Sequence, residues 1–175
     1  KYSITPASQK IEYVDGNGKI IKTIDNIGTD SSNYGDKVDF DVKQNVPKDY
    51  KLVDSNVPTQ ITIENSVTKF VIEPNIVTTT ETKTITRTII VEDPDGSETQ
   101  VVQKVTFTRP KYTDPVNGEV TYGEWDKPAG NWDKYNAPDI PGYTSPKVLE
   151  ELVTPDAEDK TIRIAYSKQQ KPGTP

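Results

Sequence analysis

Polar and apolar residues alternate along much of this chain with the period of two that marks half-buried strands. Ile11 and Tyr13 alternate with Lys10 and Glu12, Asp15-Gly16-Asn17-Gly18 then supplies residues that tolerate positive φ, and Ile20 to Ile24 resume the apolar pattern. This is a β-hairpin. The signal recurs at Ile89-Ile90-Val91-Glu92-Asp93-Pro94-Asp95-Gly96-Ser97, where Ile85, Ile89 and Val91 share one face and Thr84, Thr86 and Thr88 the other. The return strand places Val101, Val105 and Phe107 opposite Val102, Lys104, Thr106 and Thr108. Each hairpin is followed by a Pro-then-Tyr element, Pro47-Lys48-Asp49-Tyr50 and Pro141-Gly142-Tyr143, and then by a closing apolar strand, Phe70-Val71-Ile72 and Ile162-Arg163-Ile164-Ala165-Tyr166. Three elements in the same order twice predict tandem modules.

The spacing separates the copies. From turn glycine to later tyrosine is 34 residues in the first half, Gly16 to Tyr50, and 47 in the second, Gly96 to Tyr143, so the second module carries about thirteen extra residues. Gly118 to Trp125 reads as an added strand within that excess. Tyr50 to Val53 and Lys69 to Ile72 read as further strands of the first module, and residues 29–35 as a loop. Residues 36–46 stay open, since Val38 to Val42 alternate like a strand where a β-grasp layout would place a helix. Leu149 to Val153, bounded by Pro146 and Pro155, allows one helical turn at most. Pro74 to Thr82, with its Thr78-Thr79-Thr80 run, reads as an extended linker. The divisions are therefore 1–76, 77–170 and a terminal linker, 171–175.

Composition fits two modest cores better than one large one, because only 31% of the 175 residues are hydrophobic. The absence of cysteine excludes a disulfide scaffold. The net charge of −6 is spread over both halves, nine Lys against eleven acids in 1–76 and twelve Lys/Arg against sixteen in 77–175. With no basic stripe, a nucleic-acid surface is not expected. No apolar run of about eighteen residues exists to span a bilayer, and no signal peptide opens the chain. The sequence reads as a piece of a longer protein.

Residues 10–73 resemble the MucBP-type domain. Residues 83–168 resemble the second domain of the Mub repeat, through Lys83-Thr84-Ile85-Thr86-Arg87-Thr88-Ile89, Val105-Thr106-Phe107-Thr108-Arg109, Trp125, Trp132, Ala137-Pro138-Asp139-Ile140-Pro141-Gly142-Tyr143-Thr144 and Ile164-Ala165-Tyr166. These are mucus-binding repeats of surface adhesins of lactobacilli and related bacteria. The first half departs at Pro47-Lys48-Asp49-Tyr50, where the family usually has Pro-Gly-Tyr, which leaves room for a different turn. The resemblance implies a mainly β or α+β chain of two ubiquitin-like β-grasp domains in an elongated arrangement. It also implies export to the cell exterior with wall anchoring through other parts of the parent, and adhesion to host mucin glycoproteins.

Aromatic residues crowd the second half at Tyr112, Tyr122, Trp125, Trp132, Tyr135 and Tyr143. Exposed rings beside amides stack on sugars, so Trp125, Asn131, Trp132 and Tyr135 form a candidate glycan platform. The stronger alternative makes both Trp residues core fillers, since aromatics dominate the energetics of small cores. Tyr143, fixed by Pro141-Gly142, reads as structural. Asp93 and Asp95 with Glu92, or Asp15 with Asn17, resemble the start of a Ca2+ loop, but the twelve-residue loop with its closing Glu is missing and turn chemistry explains Asp-Gly equally well. Asp36, Asp39 and Asp41 read as a solvated strand face. No cofactor other than Ca2+ is suggested. Without His or Cys, catalysis would fall to paired carboxylates in a deep cleft, so no enzyme is expected. Two other readings compete with adhesion: an immunoglobulin-binding module acting through exposed edge strands, and a spacer repeat.

Overall fold

The computed structural model describes residues 6–28 and 31–170. The loop expected at 29–35 is thus described only from Ser31, and the terminal linker 171–175 lies outside the described residues. The chain divides into two compact units, one of Lys1–Val77 with Tyr112–Val120, the other of Thr78–Lys111 with Thr121–Pro175.

In the first unit β1 (Gln9–Val14), β2 (Ile20–Ile27), β3 (Lys37–Asp39), β4 (Tyr50–Leu52), β5 (Gln60–Thr62) and β6 (Val67–Pro74) follow in order. The principal sheet runs β2-β1-β6-β4, with β3 and β5 paired separately. The hairpin closes as its turn residues dictate: Gly18 N–H donates to the Asp15 carbonyl at 3.0 Å, and Asp15 Oδ1 accepts from Asn17 N–H and Lys19 N–H, each at 2.9 Å. Closing strand β6 lies parallel to β1, from Lys10 opposite Val67 to Val14 opposite Val71. Ile11, Tyr13, Val42, Ile61 and Ile72 form the core, flanked by Phe40, Leu52 and Phe70. Two buried polar groups are satisfied within it. Tyr13 Oη donates to the Val42 carbonyl at 2.7 Å. Gln9 Oε1 accepts from Glu64 N–H and Ser66 N–H at 2.9 and 3.1 Å, while Nε2 donates to Ser66 Oγ and Thr68 Oγ1. The turn into β6 is thereby fastened to the start of β1.

Residues 36–46 resolve as the short strand β3 followed by turns, and no helix occurs among the described residues. The β3–β5 ladder sets Val38 opposite Ile61, and Val42, in the turns after β3, joins Ile61 in the core.

Strands β7 (Val77–Glu92) and β8 (Glu98–Thr113), which lie in the second unit except for Val77 and Tyr112–Thr113, form a long hairpin, followed by β9 (Val120–Tyr122), β10 (Gly130–Trp132), β11 (Tyr135–Asn136), β12 (Tyr143–Thr144), β13 (Lys147–Val148), β14 (Glu151–Val153), β15 (Lys160–Ala165) and β16 (Ser167–Lys168). The sheet order β15-β7-β8-β9 again sets a late strand beside the first, and β15 runs parallel to β7. Strand β9 lies inside the predicted insertion. The Thr run of the expected linker belongs to β7, at its exposed start, where Val77 to Thr80 are all exposed ahead of the alternating stretch. The helical turn allowed at Leu149–Val153 is instead strand β14, paired with β10; the bounding prolines leave too few residues to repay helix nucleation.

Inward residues of β7 divide between two clusters, Ile85 with Val105, Phe107, Trp132 and Val153, and Ile89 and Val91 with Ala137 and Val148. Arg87 shares their face and is 1% exposed. Its Nε donates to Gln103 Oε1 at 2.7 Å, Nη1 to the Leu149 carbonyl at 3.0 Å and Nη2 to the Asp133 carbonyl at 2.9 Å.

Candidate functional site

The aromatic surface of the second unit is organised by Arg109 on β8. Its guanidinium lies 3.8 Å from the ring centre of Tyr122 and 4.3 Å from that of Trp125, and Nε donates to Glu81 Oε2 at 2.6 Å. Cation–π contact with both rings, with the charge neutralised from β7, holds Tyr122 and Trp125 beside Arg109. The backbone reinforces this placement. Gly123 N–H donates to the Pro110 carbonyl, and a Cβ on Gly123 would lie 2.5 Å from Pro110 Cγ, so only glycine lets the chain pass there. Asp126 pairs with Thr108 through Thr108 N–H to Oδ1 at 3.0 Å and its own N–H to the Thr108 carbonyl at 2.8 Å. Trp125 is half-buried, edge-on to Phe107, whereas Tyr122 is exposed.

The other candidate platform residues do not join this surface. Trp132 is 3% exposed in the core, its indole N–H donates to the Ile85 carbonyl at 3.2 Å, and the Arg87 guanidinium covers its ring at 5.5 Å. The platform expected of Trp132 gives way to the core reading, because the strand period that turns Asn131 outward turns Trp132 inward. Asn131 is exposed opposite Leu152, itself 68% exposed. Tyr135 is half-buried against the Ala137 and Val148 cluster. Neither arginine carries a local sequence sign of its role, since the partners of Arg87 lie far along the chain and those of Arg109 come from β7, from β9 and from beyond it.

Asp93 and Asp95 serve their turn. Asp95 Oδ1 accepts from Ser97 N–H at 2.9 Å and Ser97 Oγ at 2.6 Å, and Asp93 Oδ2 accepts from Thr99 Oγ1 at 2.9 Å. The Ser97 hydroxyl, then the Ser97 N–H, hold the Asp95 carboxyl below its ordinary value. Among the described residues no group of three or more His, Cys, Asp or Glu is placed to hold a metal ion.

A profile of the Muc B2-like domain matches residues 76–170. The chain belongs to the Muc B2-like family. Among solved structures, the mucin-binding domain of Spr1345 from Streptococcus pneumoniae is 40% identical, over 54% of this chain and 99% of that one, with a TM-score of 0.46. Mub-RV, at 21% identity, covers 94% of this chain and 100% of its own with a TM-score of 0.63. The type 2 repeat of the mucus binding protein MUB from Lactobacillus reuteri is 20% identical over 93% and 100%, at 0.55. These last two share the fold. No curated protein matches the chain.

Two of the sequence features that carry the resemblance, Tyr166 and the Pro-Gly-Tyr element, hold the backbone of the second unit. Tyr166 Oη donates to the Pro138 carbonyl, and burial, then Asp93, raise its pKa. In the Pro-Gly-Tyr element Tyr143 N–H donates to the Ile140 carbonyl at 3.1 Å, Gly142 takes φ +84°, and its carbonyl accepts from Gln169 N–H at 2.9 Å. The first unit repeats this arrangement without the glycine. Tyr50 N–H donates to the Pro47 carbonyl at 3.2 Å, Asp49 takes φ +72°, and its carbonyl accepts from Asn75 N–H at 2.7 Å. The turn at Pro47 thus matches the Pro-Gly-Tyr turn of the second unit, with Asp in the left-handed position.

Proposed function

We propose that this chain is a non-catalytic adhesion repeat of a bacterial surface protein, exported and anchored through other parts of its parent, that binds host mucus glycoproteins. The observation that carries the reading is the Muc B2-like match over residues 76–170. Support comes from the whole-length likeness in fold to the mucus binding protein repeat, and from Tyr122 and Trp125 held beside Arg109. Rings so placed are suited to stacking on sugars, and two rings give only weak contacts. Affinity then comes from repetition, since a second bound repeat raises the effective concentration of the next.

The test is surface plasmon resonance of the single chain and of a three-copy tandem over intact and deglycosylated mucin. The expected result is weak binding by one copy, retention by the tandem at least tenfold stronger, and loss of both on deglycosylation. If neither form binds intact mucin, the adhesion reading is wrong; equal affinity for one and three copies removes the multivalent mechanism.

A further inference from the structure

In the first unit the chain after β3 and the chain before β5 diverge around a groove of about 470 Å³ lined by Asp39, Phe40, Asp41, Lys43, Pro58 and Thr59. That size lies within the ~300–1,000 Å³ typical of small-ligand clefts. Its frame is fixed by the Phe40 N–H to Thr59 carbonyl bond at 3.0 Å and by Val42, which is buried beneath and accepts the Tyr13 hydroxyl through its carbonyl. Phe40 is half-buried, backed by the core and lining the groove. Asp39 Oδ1 accepts from Gln60 Nε2 and Asp41 Oδ1 from Gln44 N–H, each at 3.0 Å, while Oδ2 of each carboxylate takes no bond among the described residues. Lys43 adds a cation that makes no ion pair among them.

Phe40, the two half-used carboxylates of Asp39 and Asp41, Lys43 and the apolar Val57 and Pro58 all line this groove. Carboxylates accept paired sugar hydroxyls, the ring stacks on the apolar face of a pyranose, and Val57 and Pro58 suit a methyl substituent. Two acids against one lysine disfavour an anionic sugar. We infer that this groove binds an uncharged N-acetylhexosamine unit of a glycan chain. The inference rests on the adhesion reading and adds to it a subsite, in the first unit, that discriminates against sialylated termini.

The 15N-labelled full chain is titrated with the methyl glycosides of N-acetylglucosamine and N-acetylgalactosamine, and with N-acetylneuraminic acid at equal concentration. The expected result is saturable amide shifts confined to 39–43 and 57–60 with at least one of the two glycosides, and at least fivefold weaker response to N-acetylneuraminic acid. Thr59→Trp, a change at an exposed groove position, should abolish the shifts while leaving the melting temperature unchanged; Asp41→Asn should weaken them at least threefold. No glycoside shift in the wild type, shifts located elsewhere, equal response to the charged sugar, or shifts that survive in Thr59→Trp would each overturn the inference. Mucin retention by the wild type separates the two claims: groove failure with retention intact leaves adhesion standing, whereas lost retention sinks adhesion itself.

Discussion

Replacing Arg87 by Met tests whether the second unit depends on a buried cation at the junction of its two apolar clusters. Met fills much of the volume, so the loss isolates the polar contribution. The guanidinium serves three acceptors at 2.7–3.0 Å, two of them backbone carbonyls that precede or follow short strands. Glu151 is a weaker partner at 3.5 Å, is 39% exposed, and keeps Lys160 at 3.0 Å when Arg87 is gone. Little uncompensated charge therefore remains, and the cost comes from acceptors stripped of their donor. Hydrogen bonds from a charged donor contribute roughly 1.5–3 kcal/mol each but overlap strongly in one network, which gives about 3–5 kcal/mol for the substitution. The chain's two tryptophans both lie in the second unit, so urea unfolding followed by tryptophan fluorescence reads that unit alone. With an m-value of roughly 1.5 kcal/mol/M the midpoint should fall by about 2–3 M. Glu151→Gln should shift it by less than about 0.7 M on the same scale, as expected for a half-exposed pair. A fall below about 0.7 M for Arg87→Met, or a larger effect from Glu151→Gln, would show that the carbonyl contacts do not hold this junction together.

Three further outcomes are expected. Trp132→Ala should destabilise the second unit by about 3–5 kcal/mol, as for other buried aromatics, whereas Trp125→Ala should cost less and act mainly on mucin retention; equal melting behaviour of the two variants would contradict their assignments. Burial, then the Asp41 carboxylate, push the Tyr13 hydroxyl up to about 12 from 10.0, so the fold favours the neutral phenol. That stabilisation, at most about 2.7 kcal/mol, is complete below pH 10 and lost as pH rises through 12. The stability difference between wild type and Tyr13→Phe, read by urea titration with circular dichroism, should shrink across that window, and a constant difference would refute the linkage. Asp49→Gly relieves a left-handed φ at a non-glycine residue and should stabilise the first unit by up to about 1 kcal/mol; destabilisation would mean that the Asp49 side chain contributes more than its backbone strain removes.

The duplicated order was legible because its elements are local. Asp-Gly turns, Pro-Tyr corners and period-two strands announce themselves within a few residues, and Asp15 and Asp93 make the same turn bonds, each accepting from a glycine three residues on. What was not legible depends on distant partners. Trp125 and Trp132 look alike in sequence, and only the register of β10 against β14 sends one to the core. Arg87 shares the parity of Ile85 and Ile89, yet a charge in a threonine-rich strand reads as solvated until Asp133 and Leu149, 46 and 62 residues away, supply their carbonyls. The acids at Asp39 and Asp41 read as a solvated face because Phe40 between them carries no sequence sign of a groove.

The parallel pairing in each unit has a consequence for a chain under tension. In the first unit the start of β1 and the end of β6 lie at opposite ends of a ladder running from Lys10 and Val67 to Val14 and Val71. Pulling on the two sides loads that ladder in shear, so its hydrogen bonds must give way together, whereas a hairpin pulled at its open end unzips one bond at a time. The six pairs from Arg87 and Lys160 to Glu92 and Ala165 repeat the arrangement in the second unit. Resistance to being torn open is set by the rate of unfolding and not by equilibrium stability. Each modest core is thereby suited to bearing tension along its own parallel ladder.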